Sequence, residues 1–136
     1  QEDLENLAKE LNIFEKTTFF GYVTEEDKKK ILSEVHCVAN TSIKEGWGIT
    51  NIEANACGTC VISANVPGLK DSVKDGVSGL LYEYGNIEEL SDKIYKVFTD
   101  MELQKTLSEG AVEWAEKFSW KNSAKKMLKI CEEMIK

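Results

Sequence analysis

The sequence predicts an α/β fold: a parallel β-sheet with helices on its faces and further helices at the C-terminal end. Three observations carry this. Helical and strand-like segments alternate through the first part of the chain, the order expected of parallel strands joined by crossover helices. The strand-like segments are nearly continuous in apolar residues, as strands covered on both faces must be. The chain has 136 residues, 42% of them hydrophobic and 30% charged, enough to bury a core without disulfides or metals. Residues 1–136 therefore read as a single domain. There is one proline where average usage would give about seven, which fits a chain rich in regular structure.

The elements follow in order. Residues 3–13 read as a helix with Leu4, Leu7 and Leu11 on one face. Thr17 to Val23 is β-branched and aromatic, and predicts a strand. Thr24 caps a helix running to about Val35, with Asp27 as a carboxylate variant of the capping box. His36 to Asn40 is a short buried strand. A loop spans Thr41 to Trp47, and a helix follows from about Gly48 to Cys57, ended by Gly58. In that helix Ile49, Ile52 and Ala56 read as the buried face, with Glu53 at its edge. Cys60 to Ala64 is a strand, Pro67-Gly68 a turn or short helix, and Leu80 to Tyr82 a brief strand after the turn residues Asp75-Gly76 and Ser78-Gly79. Three helices close the chain near 87–99, 101–118 and 120–135. The last has Ala124, Met127, Leu128, Cys131 and Ile135 on one face.

Charge and cysteine usage narrow the function classes. The net charge of −7 disfavours nucleic acid, which is bound through clustered Lys and Arg. The local runs Lys28-Lys29-Lys30 and Lys121, Lys125, Lys126, Lys129 sit among acids at helical spacing and read as solvated faces. No apolar run approaches the ~20 residues of a membrane span, and no signal segment opens the chain. The expected location is cytoplasmic. Cys57 and Cys60 have CxxC spacing. Zinc would need further ligands, and the sequence has a single histidine, His36. A redox pair would sit at the start of a helix, whereas this one follows a helix and precedes a strand. The cysteines read as buried reduced thiols.

In parallel sheets, ligands bind at the carboxyl ends of the strands. That rule points to the loops after Val23 and after Asn40. The second carries Glu45-Gly46-Trp47-Gly48-Ile49-Thr50 and, eight positions after Glu45, Glu53. Two glycines flank a tryptophan where a helix begins, so a ligand can approach the backbone closely. The N–H groups of Gly48, Ile49 and Thr50 then face outward at the positive end of the helix dipole, an anion site. The stretch lacks the Gly-Lys-Ser/Thr ending of a Walker loop and the glycine spacing of the dinucleotide fingerprint. A carboxylate at Glu45 would repel an anion unless it accepts hydrogen bonds from neutral hydroxyls. A diphosphate between two hydroxyl-binding carboxylates describes a sugar nucleotide. The plainer alternative makes Thr50-x-x-Glu53 a capping box and Glu45 an exposed loop acid.

Here the sequence resembles a known family, the retaining, nucleotide-sugar-dependent glycosyltransferases of group 1 (family 4), which have the GT-B fold. Their hallmark, Glu, seven residues, Glu, stands here as Glu45-Gly46-Trp47-Gly48-Ile49…Glu53-Ala54-Asn55-Ala56-Cys57-Gly58-Thr59-Cys60-Val61. Phe19-Phe20-Gly21-Tyr22-Val23, Val66-Pro67-Gly68-Leu69-Lys70-Asp71, Asp75-Gly76-Val77-Ser78-Gly79-Leu80-Leu81 and Phe118-Ser119-Trp120 resemble flanking motifs of the family. Asn55, Cys60, Thr41 and Asp71 depart from its pattern and bear on packing more than on ligand contacts.

The resemblance implies a Rossmann-like lobe of a GT-B enzyme that binds a UDP-, GDP- or ADP-sugar and needs no cofactor or metal. It implies Glu45 as the catalytic-site residue contacting donor-sugar hydroxyls. Gly46, Trp47, Gly48, Ile49 and Thr50 would lie around the sugar and diphosphate, Glu53 on the ribose, and Tyr22 and Val23 beside the base. An acceptor glycan or lipid-linked sugar would be held by a further N-terminal domain. The family's basic diphosphate clamp lies upstream of Gln1, so the chain reads as a fragment that is inactive alone. Two other readings are a stand-alone, non-catalytic nucleotide-sugar-binding or interaction module, and a redox protein using Cys57 and Cys60.

Overall fold

A computed structural model describes residues 1–135. Ten elements run in the order α1 (Glu2–Glu10), α2 (Glu25–Glu34), β1 (Val38–Asn40), α3 (Ile49–Ala56), β2 (Val61–Ala64), α4 (Leu69–Ser72), β3 (Gly79–Tyr82), α5 (Ile87–Thr99), α6 (Met101–Ala115) and α7 (Trp120–Met134). Short 3-10 turns follow α1 at Phe14–Lys16 and α6 at Glu116–Phe118. The three strands form one parallel sheet in the order β1-β2-β3, with Val38 opposite Val61 and Val61 opposite Gly79. The expected α/β architecture is therefore present.

Alternation along the central strand builds two cores. Cys60, Ile62 and Ala64 point to one face and pack with Val97 of α5 and Leu107 of α6. Val61 points to the other and packs with Leu32 of α2 and Ala54 of α3. Every residue of β2 is buried, as a strand covered on both faces requires. Helix starts are set locally. Thr24, Asn86, Asp100 and Ser119 each accept a hydrogen bond from the backbone N–H three residues on, opening α2, α5, α6 and α7. At Thr24 the hydroxyl also donates to the Asp27 carboxylate at 2.7 Å.

The structure corrects one expectation here and shows which way two amphipathic helices face. Thr17 to Val23 is not a strand. Among the described residues, no backbone N–H from Thr18 to Val23 donates to a backbone carbonyl, and Gly21 turns the chain with φ 59°. β-propensity describes fit to a pleated, half-buried surface. The three-residue β1 offers little edge, and Phe20 and Tyr22 lie exposed. The apolar stripe of α1 is also turned outward: Leu4, Leu7 and Leu11 are exposed while Ala8 is buried. Likewise α7 forms where expected but buries no residue; Met127, Leu128 and Ile135 are exposed, as is Cys131. Periodicity marks an amphipathic helix without saying what covers it.

Candidate functional site

The loop between Asn40 and α3 lies at the carboxyl end of β1. Gly48 is the residue before α3 and adopts a left-handed conformation, φ 76° and ψ 51°. A Cβ there would meet Ser72 Oγ at 2.7 Å and Leu69 Cδ2 at 2.9 Å. Glycine is thus required twice, by backbone angle and by space. Beside it the Glu45 carbonyl rests on Gly68, φ 89°, where a Cβ would fall 2.1 Å from Glu45 O. Glu45 and Gly46 are therefore seated backbone to backbone on the turn before α4, and Gly48 against the side chains of Leu69 and Ser72.

Among the described residues no side chain caps α3, in contrast to α2, α5, α6 and α7. The N–H of Asn51 bonds to Gly48 O at 3.0 Å, but those of Gly48, Ile49 and Thr50 find no acceptor among the described residues. Three free donors and a helix dipole equivalent to about half a positive charge favour an anion here. Glu45, Ile49 and Thr50 are exposed beside them. Glu53 is half-buried one turn further on, its Oε1 held by Lys28 Nζ at 3.0 Å.

The face of α3 is the reverse of the expected one. Asn51, Ala54 and Asn55 are buried, whereas Ile49 is 66% exposed. Ile49, Ile52, Glu53 and Ala56 instead line an open groove of about 420 Å³ with Trp47, Phe118, Trp120 and Ser123. Its end is built by aromatic packing: Trp47 lies edge-on to Phe118 with centroids 4.7 Å apart, and Phe118 lies 5.1 Å from Trp114. Glu53 and Ala56 also border a second groove of about 270 Å³ with Glu25, Lys28 and Leu32 of α2. Of the residues singled out from the sequence, Trp47, Ile49 and Glu53 share the first groove, while Glu45 and Gly46 lie outside both. Tyr22, 97% exposed, and Val23 line neither groove.

Sequence reasoning missed the residues beneath the loop. Asn51 is fully buried. Its Oδ1 accepts from Asn40 Nδ2 at 2.9 Å, and its Nδ2 donates to Ser63 Oγ at 3.2 Å and Ser72 Oγ at 2.9 Å. The available signal was polar residues at the carboxyl ends of apolar strands, Asn40 and Ser63. Asn55, buried on the same helix, is only partly satisfied: its Nδ2 donates to Thr59 O and Ser78 O, each at 3.0 Å, while its Oδ1 has no hydrogen-bond partner among the described residues.

No disulfide joins the cysteines among the described residues. All four are free, and burial pushes the Cys60 thiol up to about 11, away from a reactive thiolate. Among the described residues, no cluster of three or more His, Cys, Asp or Glu could hold a metal ion, and no helix is long and apolar enough to cross a membrane.

Residues 1–114 match the family model of glycosyl transferases group 1. The chain belongs to the group 1 glycosyl transferases. This glycosyl transferase chain is 37% identical over 132 residues to the D-inositol 3-phosphate glycosyltransferase of Saccharomonospora viridis, covering 97% of itself and 31% of that protein. It superposes on sucrose-phosphate synthase from Thermosynechococcus elongatus with a TM-score of 0.89 at 28% identity, covering 98% of itself and 34% of that chain. It superposes on Anabaena HepE in complex with UDP-glucose with a TM-score of 0.79 at 26% identity, covering 85% of itself and 32% of that chain. The glycosyl transferase chain thus spans about a third of the length of the relatives it matches, and its fold is that of one lobe of a GT-B enzyme.

Proposed function

We propose that this chain is the donor-binding part of a glycosyltransferase that moves a hexose from a UDP-, GDP- or ADP-sugar to an acceptor glycan or lipid-linked sugar, with retention of anomeric configuration. The observation that carries the reading is the uncapped N-terminus of α3, seated on Gly48 between Glu45 and Glu53. In this reading the free N–H groups of Gly48, Ile49 and Thr50 bind the diphosphate and stabilise it as leaving group. Glu45 accepts hydrogen bonds from the donor sugar, whose hydroxyls are neutral, so its charge does not oppose the phosphates. Trp47 and Gly46 shape the sugar side, and Glu53 accepts from the ribose hydroxyls. Tyr22 and Val23 lie on the side of the base. HepE, solved with UDP-glucose, supports a donor of this class.

The reading includes no metal, since backbone dipoles supply the positive field, and it places the protein in the cytoplasm. Alone, the chain binds donor weakly and does not turn it over. Titration of the ¹⁵N-labelled chain with UDP-glucose, GDP-mannose and ADP-glucose at millimolar concentration tests it. Amide shifts confined to residues 45–53, with a smaller set at 22–23 and no change on adding EDTA, are expected. Silence of residues 45–53 with all three nucleotides overturns the reading. Retention is read separately, from the anomeric proton coupling of the product formed by a protein that carries this lobe together with an acceptor-binding lobe.

A further inference from the structure

Asn51 sits at the centre of a buried polar network that joins four elements. It belongs to α3; its partners Asn40, Ser63 and Ser72 belong to β1, β2 and α4. The network extends outward at both ends. Asn40 Oδ1 accepts from the Ser42 N–H at 3.3 Å, at the start of the loop. Ser72 Oγ donates to Leu69 O at 2.7 Å, and Ser72 O accepts from Trp114 Nε1 of α6 at 3.0 Å. Asn51, Ser63 and Ser72 are all fully buried.

Two features separate this network from ordinary core satisfaction. An apolar side chain at position 51 would need none of these three polar partners, and buried polar networks specify geometry rather than add stability cheaply. The network also forms the wall on which the loop rests. The Cβ missing at Gly48 would lie 2.7 Å from Ser72 Oγ and 3.2 Å from Asn51 Nδ2. The left-handed turn at Gly48 is thus in contact with the same two side chains that tie α3 to β2 and α4.

We infer that Asn51 is a positioning residue that, through Ser72, holds the Gly46–Gly48 turn and the first N–H groups of α3 in the geometry for the donor diphosphate. This rests on the donor reading above. Asn51 touches no ligand in it; its effect passes through the backbone of residues 46–50. Asn55 supplies an internal comparison. It is equally buried on the same helix and makes two hydrogen bonds, but to Thr59 O and Ser78 O near the other end of α3.

The test uses the variants Asn51→Leu, Ser72→Ala and Asn55→Leu, with UDP as the probe. In the ligand-free chain, Asn51→Leu and Ser72→Ala shift and broaden the amides of Gly46, Gly48, Ile49 and Thr50, whereas Asn55→Leu leaves them in place. UDP binding weakens roughly tenfold or more in Asn51→Leu, less in Ser72→Ala, and stays within about twofold in Asn55→Leu even where its melting temperature falls as far. Unmoved amides at residues 46–50 in both network variants overturn the inference, as does an equal loss of UDP binding in Asn55→Leu. If Asn51→Leu does not fold, Ser72→Ala decides by the same criteria. If the unaltered chain does not bind UDP, the donor reading fails while the ligand-free amides still judge the positioning role.

Discussion

Lys28 Nζ lies 3.0 Å from Glu53 Oε1 and 3.0 Å from Glu25 Oε2, so one ammonium joins the first turns of α2 to the middle of α3. The basic run Lys28-Lys29-Lys30 reads from sequence as a solvated face. Lys29 and Lys30 are indeed exposed, but Lys28 is turned to the candidate ribose carboxylate. Hydrogen bonds to Glu25 and then Glu53 raise the Lys28 pKa above 10.5. A partly exposed pair of this kind adds little stability. Under the proposed donor reading its larger effect is to orient Glu53, with Oε2 turned to the ribose.

Lys28→Met should therefore leave the melting temperature nearly unchanged at neutral pH but weaken UDP-glucose binding roughly fivefold, the scale of one oriented charge-assisted hydrogen bond. Because the folded pKa of Lys28 is raised, the small stability the pair provides is fully present below pH 10.5 and lost as pH rises through the higher folded value. Any difference in melting temperature between the two proteins should be flat from pH 6 to 10 and shrink only as pH rises past 10.5. Equal affinities in a side-by-side NMR titration would remove the orienting role.

Gly68→Ala should disturb the loop that carries Glu45. The site combines φ 89° with a Cβ position 2.1 Å from the Glu45 carbonyl oxygen, a backbone atom with no flexible way out. Gly76 is the matched comparison, with φ 71° and open space around its Cβ position. Gly76→Ala should cost about 1 kcal/mol from backbone strain alone, and Gly68→Ala on the order of 2 kcal/mol or more. In thermal unfolding that is a fall of about 5 °C or more for Gly68→Ala. The amides of Glu45 and Gly46 should move only in Gly68→Ala.

These positions show which parts of the molecule were legible in advance. The Gly-Trp-Gly turn, the strand at Val61–Ala64 and the start of α2 at Thr24 follow from local chemistry, such as a glycine where φ is positive or a hydroxyl before a helix. The helix α3 was legible as an element but not in its orientation. Its isoleucines suggested the buried face, while the sheet below offers polar partners at Asn40 and Ser63 and so takes Asn51 instead. The segment at Thr17–Val23 failed for a similar reason: a strand needs an edge, and nothing in its own residues reports that β1 is three residues long. The exposed faces of α1 and α7 were read as amphipathic correctly, but burial depends on what lies opposite.

Acid should loosen the junction between β3 and α5 first. Glu89 Oε1 accepts from Lys93 Nζ at 2.6 Å, Glu89 Oε2 accepts from the Glu83 N–H at 2.9 Å, and Lys93 Nζ also donates to Leu81 O. The hydrogen bonds from Lys93 and then from the Glu83 backbone lower the Glu89 pKa below 4.5. The stability this group adds is thus present above about pH 4.5 and is lost as pH falls through its lower folded value. Glu89→Gln should lower the melting temperature at pH 7 and make it less sensitive to acid between pH 5 and 3. Parallel curves for the two proteins across that range would contradict this.

The four thiols should react in an order set by access and by thiolate fraction. Cys131 is exposed on α7, Cys37 and Cys57 are half-buried, and Cys60 is buried. Burial raises the Cys37 thiol as well, and pushes Cys60 up to about 11 with the neighbouring Cys37 adding to it. At pH 7.5 a thiol with that pKa is ionised to less than about 0.1%, and only the thiolate attacks. Iodoacetamide followed by peptide mass spectrometry should label Cys131 first and Cys60 last, with Cys60 becoming reactive only in denaturant. A redox pair requires the opposite, a Cys57 or Cys60 that alkylates at neutral pH faster than Cys131. Fast labelling of Cys60 in the folded chain, or recovery of a Cys57–Cys60 disulfide after mild oxidation without unfolding, would restore that reading and displace the packing of Cys60 against Val97 and Leu107.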